Sequence, residues 1–196
     1  MNYEWLILFF INSIMKKLFV LVFVVLFVSG CAQHDGLHVS HPDYLHDHAH
    51  HDHHEVTSEE WFLVEMIPHH QEAIDTSLVL RAMTQDPVLQ ELTDAIIVEQ
   101  EHEIAQMQAW LDEWYPDSSY VSTYMPMMRD ASGIDDVLLV ERLWIEDMIV
   151  HHMGAVMMAE DLLKLDPRPE LADFARAIIA VQTDEIMLMQ SLLQRY

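Results

Sequence analysis

The feature that most constrains this fold is an internal duplication. Residues 66–111 align with residues 148–193 at a constant offset of 82, and more than a third of the 46 aligned positions are identical without a gap. Self-similarity at a fixed spacing is the mark of a repeated structural unit. The shared positions begin with Met-Ile-x-His-His-x-x-Ala and continue with Gln-x-x-Glu-Ile-x-x-Met.

The apolar periodicity of each copy predicts two helices joined by a short turn. Repeat one is assigned to residues 57–114, the linker to 115–133 and repeat two to 134–196. The expected helix starts are a capping box of Thr57 with Glu60, the pair Asp86-Pro87, a cap of Ser132 with Asp135, and Pro167 to Pro169. The expected helix ends are near Met83, Trp114, Leu165 and Tyr196.

Two helical hairpins close most simply into an all-α four-helix bundle. A helix of about 25 residues is roughly 38 Å long, and the linker of about 19 residues can span that length when extended. We therefore predict a ferritin-like connectivity, in which a long crossover joins the two duplicated hairpins. The alternative of up-down-up-down connectivity would need only a short linker.

The first residues are typical of an export signal. An unbroken apolar run, Leu18–Val28, follows Lys16 and Lys17, and Ser29-Gly30-Cys31 comes after it. The ending resembles the bacterial lipobox, in which the cysteine is lipidated and becomes the first mature residue. A membrane anchor beginning near Trp5 is the alternative, although it would place two lysines inside the bilayer at about 2.5–3.5 kcal/mol each.

We therefore expect a signal peptide over residues 1–30, with translation starting at Met15, and lipid attachment at Cys31. The mature protein would be anchored in the bacterial cell envelope, facing the periplasm or the exterior. The chain has no other cysteine, which excludes an internal disulfide and any cysteine-rich metal site.

Residues 31–56 form a histidine-rich tail with interspersed acids and little to bury, so we expect it to be disordered. Imidazoles among carboxylates bind divalent metals weakly and with little selectivity. A polar spacer between lipid and domain is the alternative, and both can hold. The candidate tail ligands are His46, His48, His50, His51, His53 and His54.

The charge balance favours cations as partners. Nine Lys and Arg stand against 33 Asp and Glu, which gives a formal net charge of −24. Such a surface repels phosphate backbones, so nucleic acid is excluded as an expected partner. The 14 histidines and 14 methionines point instead to metal ions.

Tracing steps of three and four residues places one methionine–histidine–glutamine–glutamate–methionine stripe inside the bundle from each repeat. His70 and His152 lie about 100° from their neighbours, so only one histidine of each pair is expected to face the axis. The candidate metal ligands are Met66, His69, His70, Glu103, Met107, Met148, His151, His152, Met153, Met157, Glu185 and Met189.

Thioether sulfur together with imidazole suits Cu(I) and, by extension, Ag(I), with divalent metals as a further option. Two other interpretations stay open. Buried histidine, glutamine and glutamate can form a polar network that fixes helix register, and buried methionine commonly fills gaps. The run Met125-Pro126-Met127-Met128 fits either an entrance for metal or a hydrophobic plug.

The doubled motif resembles the ferritin-like proteins of domain-of-unknown-function family 305, over about residues 58–196. The matching residues are Met66, His69, His70, Met148, His151 and His152. This resemblance implies a metal-binding helical bundle. Members with known roles are similar to CopM-like periplasmic proteins that bind copper and silver and contribute to copper tolerance.

The leading hypothesis is a binding protein and not an enzyme. A di-metal carboxylate oxidase such as a ferroxidase needs two Glu-x-x-His pairs. The chain offers Glu99-x-x-His102, whereas the equivalent positions in repeat two are Val181 and Asp184. A structural envelope protein with a polar core is the remaining alternative.

Overall fold

The computed structural model describes residues 56–131 and 133–196, which contain four helices and no strand. The helices are α1 (Glu59–Met83), α2 (Pro87–Trp114), α3 (Val137–Lys164) and α4 (Pro169–Leu193). The two helical repeats and the irregular linker between them are confirmed. The signal peptide, Cys31 and the tail histidines lie outside the described residues.

The helix starts differ in detail from the expected caps. Asp86 caps α2 as predicted, since its carboxylate accepts hydrogen bonds from the amides of Val88 and Leu89. The capping box of Thr57 was wrong by one residue, because the Ser58 hydroxyl accepts from the Trp61 amide at 3.0 Å.

Asp136 caps α3 by accepting from the Leu139 amide. The predicted Ser132–Asp135 cap was therefore wrong in placing that helix start too early, and Ser132 itself lies outside the described residues. Side-chain oxygens that accept from free amides define these starts.

The packing at the two ends defines the topology. At one end the start of α1 packs with the ends of α2 and α3 and the start of α4, in a cluster that includes Phe62, Met107, Leu162 and Leu171. At the other end the helix directions are reversed, and the cluster includes Leu80, Leu89, Val140 and Leu192. Residues 115–136 therefore run the full length of the bundle, which confirms the long crossover.

Each hairpin packs internally, and α1 contacts α3 along the centre. Small residues, Ala73 and Ala155, lie fully buried on these two helices and allow close approach. On the two predicted stripes the methionines, histidines and glutamines are buried, while Glu103 and Glu185 are half-buried.

The packed region begins at Val56, one residue before the predicted boundary. Its side chain is buried among the apolar residues at the first end of the bundle. Among the described residues, none of the helices combines the length and apolar character needed to cross a membrane.

Candidate metal centre

Four histidines form a buried layer across the middle of the bundle. The rings of His69 on α1 and His151 on α3 face each other with centroids 3.7 Å apart. The ring centroids of His70 and His152 lie 6.2 Å from those of His69 and His151, respectively. All four side chains have at most 1% exposure.

Both histidines of each pair are buried, although only His69 and His151 meet at the contact of α1 with α3. Helix α1 packs against both α2 and α3, and α3 packs against both α4 and α1. Each of these helices is covered on two sides. Residues 100° apart can consequently both be buried, one toward the central contact and one toward the helix of the same hairpin.

His70 and His152 are held by matched carboxylates. His70 Nε2 lies 2.8 Å from Glu103, and His152 Nε2 lies 2.9 Å from Glu185. A carboxylate accepting from Nε2–H sets the tautomer and leaves the lone pair on Nδ1. Both Nδ1 atoms are buried without a hydrogen-bond partner.

The central pair is neutral at physiological pH. Burial, followed by the neighbouring His151, holds the pKa of His69 well below its usual range. Burial also lowers the pKa of His151 to about 4, although the hydrogen bond to Glu72 opposes that shift. Neutral imidazole is the form that binds metal, so no proton has to be displaced at pH 7.

The layer carries an unusual number of polar atoms without partners. Of nine such buried side-chain atoms in the described residues, seven belong to the four histidines and two glutamines: both ring nitrogens of His69, Nδ1 of His70, His151 and His152, and Oε1 of Gln100 and Gln182. The backbone of His151 raises the pKa of His69 slightly, but no hydrogen bond of normal geometry reaches the ring. Unsatisfied buried groups in native proteins commonly mark sites for an ion or water.

The crossover covers this layer and is fastened by Glu72. The carboxylate accepts hydrogen bonds from the Tyr124 hydroxyl and from the amides of Met127 and Met128 at 2.9 and 3.0 Å. Its Oε2 also lies 3.3 Å from His151 Nε2. Burial alone would raise the pKa of Glu72, but these hydrogen bonds outweigh it and lower the pKa to about 2.

Two further acids at equivalent repeat positions fasten the crossover on either side. Glu65 accepts from Ser122 Oγ at 2.7 Å and from the Thr123 amide at 2.9 Å. Asp147, which is Glu65 shifted by 82 positions, accepts from the Arg129 amide at 2.9 Å. The repeats therefore supply paired anchors for one asymmetric strap.

We expect Glu72→Gln to loosen this strap and to lower the free energy of unfolding by about 2 kcal/mol, because a half-buried charged acceptor is lost and an amide NH2 then faces backbone donors. Urea denaturation measures the free energy of unfolding, and hydrogen exchange of the Met127 and Met128 amides measures the loosening of the strap. Asp75→Asn, at an exposed carboxylate on the same helix, is the matched control. Unchanged protection of both amides would contradict the assignment.

The predicted methionine ligands are not all brought to one point. Met66 and Met107 lie in the apolar cluster at one end of the bundle, and Met148 and Met189 lie in the cluster at the other end. The histidine layer separates these pairs. Met153 and Met157 are 49% and 39% exposed on the outer face of α3.

Within the described residues, no group of three or more His, Cys, Asp and Glu side chains is placed to hold a metal ion together. His102 is exposed on α2, so the Glu99-x-x-His102 pair does not contribute to the buried layer. A site of three or more protein side chains in the described residues therefore needs sulfur or amide ligands beside imidazole.

Glu72, Tyr124 and the glycine at position 154 were not identified from the sequence. The available signal was a departure from the repeat, since Glu72 aligns with Gly154 at one of the three positions that differ inside the motif. Tyr124 carried no signal, because the crossover has no counterpart in the duplication.

A model of the family described as "Domain of unknown function (DUF305)" matches residues 59–193. The chain belongs to this family. The match covers all four helices, and it confirms the predicted resemblance for DUF305. None of the proteins with curated descriptions matches the chain.

Several solved structures are similar to the chain in sequence and fold. CopM in the Cu(I)-bound form is 34% identical with a TM-score of 0.62, covering 69% of this chain and 95% of CopM. CopM in an Ag-bound form is 32% identical with a TM-score of 0.58, covering 69% and 94%. A DUF305 fragment from Deinococcus radiodurans is 27% identical with a TM-score of 0.60, covering 71% and 98%.

Proposed function

We propose that this chain binds Cu(I), and Ag(I) at the same site, in its buried histidine layer, and that it serves metal homeostasis or tolerance without catalysing a reaction. One observation carries the proposal: His69 and His151, whose rings lie 3.7 Å apart, are buried, have lowered pKa values and are short of hydrogen-bond partners. Uncompensated burial of imidazole costs stability. A bound metal would compensate that cost.

The donor set favours a soft ion. Hard cations need clustered oxygen ligands, and the described residues offer no such cluster. Imidazole and thioether groups suit Cu(I). The CopM structures in Cu(I)-bound, Cu(II)-bound and Ag-bound forms support the same class of ligand.

We also propose that the protein is exported and anchored in the bacterial envelope through Cys31, where its histidine tail collects divalent metal ions. The acidic surface, with a formal net charge of −24 for the whole chain, attracts cations toward the protein. The tail would bind quickly and weakly, since its ligands have no imposed geometry.

The test is a titration of the whole protein with Cu(I) against a competing chelator, in detergent. A variant with the nine tail histidines replaced by glutamine is the comparison. We expect the tail variant to keep the tight site and to lose only weak binding. Loss of all binding in this variant would place the metal in the tail and leave the bundle as a scaffold with a polar core.

The anchor has its own test. We expect Cys31→Ser to move the protein from the membrane fraction to the soluble envelope fraction, because lipid attachment requires the thiol. Mass spectrometry of the mature N-terminus should show an acylated Cys31 in the unmodified sequence. Retention of the Cys31→Ser variant in the membrane would favour a spanning N-terminus instead.

A further inference from the structure

The two repeats differ chemically at one position beside the central histidines. Glu72 in repeat one aligns with Gly154 in repeat two. The Glu72 carboxylate lies 3.3 Å from His151 Nε2. The equivalent position beside His69 is Gly154, which contributes no side chain, and a Cβ added there would lie 3.5 Å from His69 Nε2. The two repeats therefore carry the same histidines, but one has a carboxylate beside the central ring where the other has a glycine.

The crossover places a sulfur-bearing side chain at this open side. The same Cβ position on Gly154 is 3.8 Å from Met127 Cε. Met127 is held there through its backbone, since its amide donates to Glu72 at 2.9 Å. The side chain is half-buried between the crossover and α3. The Glu72 carboxylate therefore contacts His151 Nε2 and, by accepting from the Met127 amide, also holds the Met127 thioether on the Gly154 side of His69.

We propose that His69 Nε2 and the Met127 thioether form one soft-metal site per chain, and that His151 does not bind metal through its own Nε2. This inference rests on the proposed function and names the ligands of its site. His69 has no hydrogen-bond partner on either ring nitrogen and is 1% exposed. Imidazole with thioether selects Cu(I) and Ag(I) over harder ions.

The position of Met127 also indicates how the ion arrives. Met127 lies in the run Met125-Pro126-Met127-Met128, and Met125 at its outer end is 73% exposed. The run therefore leads from solvent to the buried ring. This assigns the run as an entrance for metal and not only as a plug.

Two substitutions test the site, with silver ions as the probe. Met127→Leu keeps the apolar volume and removes the sulfur, so we expect the Ag(I) affinity to fall at least tenfold. Met187→Leu is the matched control, at a methionine that is 56% exposed on α4 and lies outside the run, and its affinity should stay within twofold. In protein with labelled methionine methyl groups, the Met127 resonance should shift when Ag(I) binds.

Gly154→Ala tests whether the open space at Gly154, next to His69 Nε2 and Met127 Cε, is needed for binding, and it leaves both proposed ligands unchanged. Distances of 3.5 and 3.8 Å are ordinary contacts, so the fold should accept the methyl group. Alanine is also favoured over glycine within a helix. We therefore expect a higher melting temperature together with an Ag(I) affinity at least tenfold weaker, because the methyl group fills the space between imidazole and thioether.

The outcomes separate this site from the broader proposal. If the unmodified protein binds Ag(I) tightly while Met127→Leu and Gly154→Ala bind equally well, the site is wrong and soft-metal binding by the bundle stands. An unmoved Met127 methyl resonance on saturation also overturns the site. If the variant in which only the tail histidines are replaced does not bind Ag(I), the proposed function itself fails.

Discussion

Replacing His69 and His151 together with alanine is expected to weaken Cu(I) binding at least a hundredfold, about 2.7 kcal/mol at 25 °C, while the helical content is retained. Both rings lie fully buried with unpartnered nitrogens, and no His, Cys, Asp and Glu cluster in the described residues could take over. The measurement is a chelator competition with Cu(I), alongside circular dichroism.

The matched control is His102→Ala, which removes an exposed histidine from α2. It should bind like the unmodified protein. The cavity left by two alanines costs stability, whereas removing two unsatisfied imidazoles offsets part of that cost. Unchanged affinity in the double variant would leave the layer as a polar core that fixes helix register.

Acidification of the metal-free protein is expected to produce the second large effect. The folded-state pKa values of His69 and His151 lie below the ordinary value of 6.5. Unfolding therefore takes up protons, and stability present above pH 6.5 is lost as the pH falls toward the folded pKa values. With its pKa at about 4, His151 alone accounts for about 2 kcal/mol between pH 6.5 and 5.

Glu72 acts in the same direction at lower pH. Its folded pKa of about 2 lies below the ordinary 4.5, so its contribution is present above pH 4.5 and is lost between there and pH 2. Urea denaturation at unit intervals from pH 7 down to pH 2 measures both steps. The His69 and His151 double variant should lose the step above pH 5 and keep a smaller lower step, because the hydrogen bond with His151 is one of the contacts that lower the pKa of Glu72. A flat profile in the unmodified protein would contradict the neutral buried pair.

Much of this architecture could be predicted before any coordinates. Helix boundaries are local properties, and Asp86 with Pro87 sets one of them through a cap and a fixed backbone angle. The offset of 82 residues between the copies predicted two like hairpins. The length of the linker then predicted the long crossover, because shorter chains cannot span a helix of that length.

The candidate site could be predicted only in part. The helical period placed His69 and His151 inside, and both are buried. It did not place His70 and His152 there as well, because period alone does not say how many sides of a helix are covered. It also grouped Met66 with Met148, which the packing separates into opposite ends of the bundle.

The sequence by itself determined an acidic, duplicated set of four helices with methionine and histidine on the inner stripe, because charge, repeat and period are properties of the chain alone. Only the tertiary structure decided which groups meet. Tyr124 and Met127 reach the histidine layer through a crossover that has no helical period. Glu72 and Gly154 have different roles because the single crossover has no copy in the duplication. It donates hydrogen bonds to Glu72 on α1 and places the Met127 side chain beside Gly154 on α3.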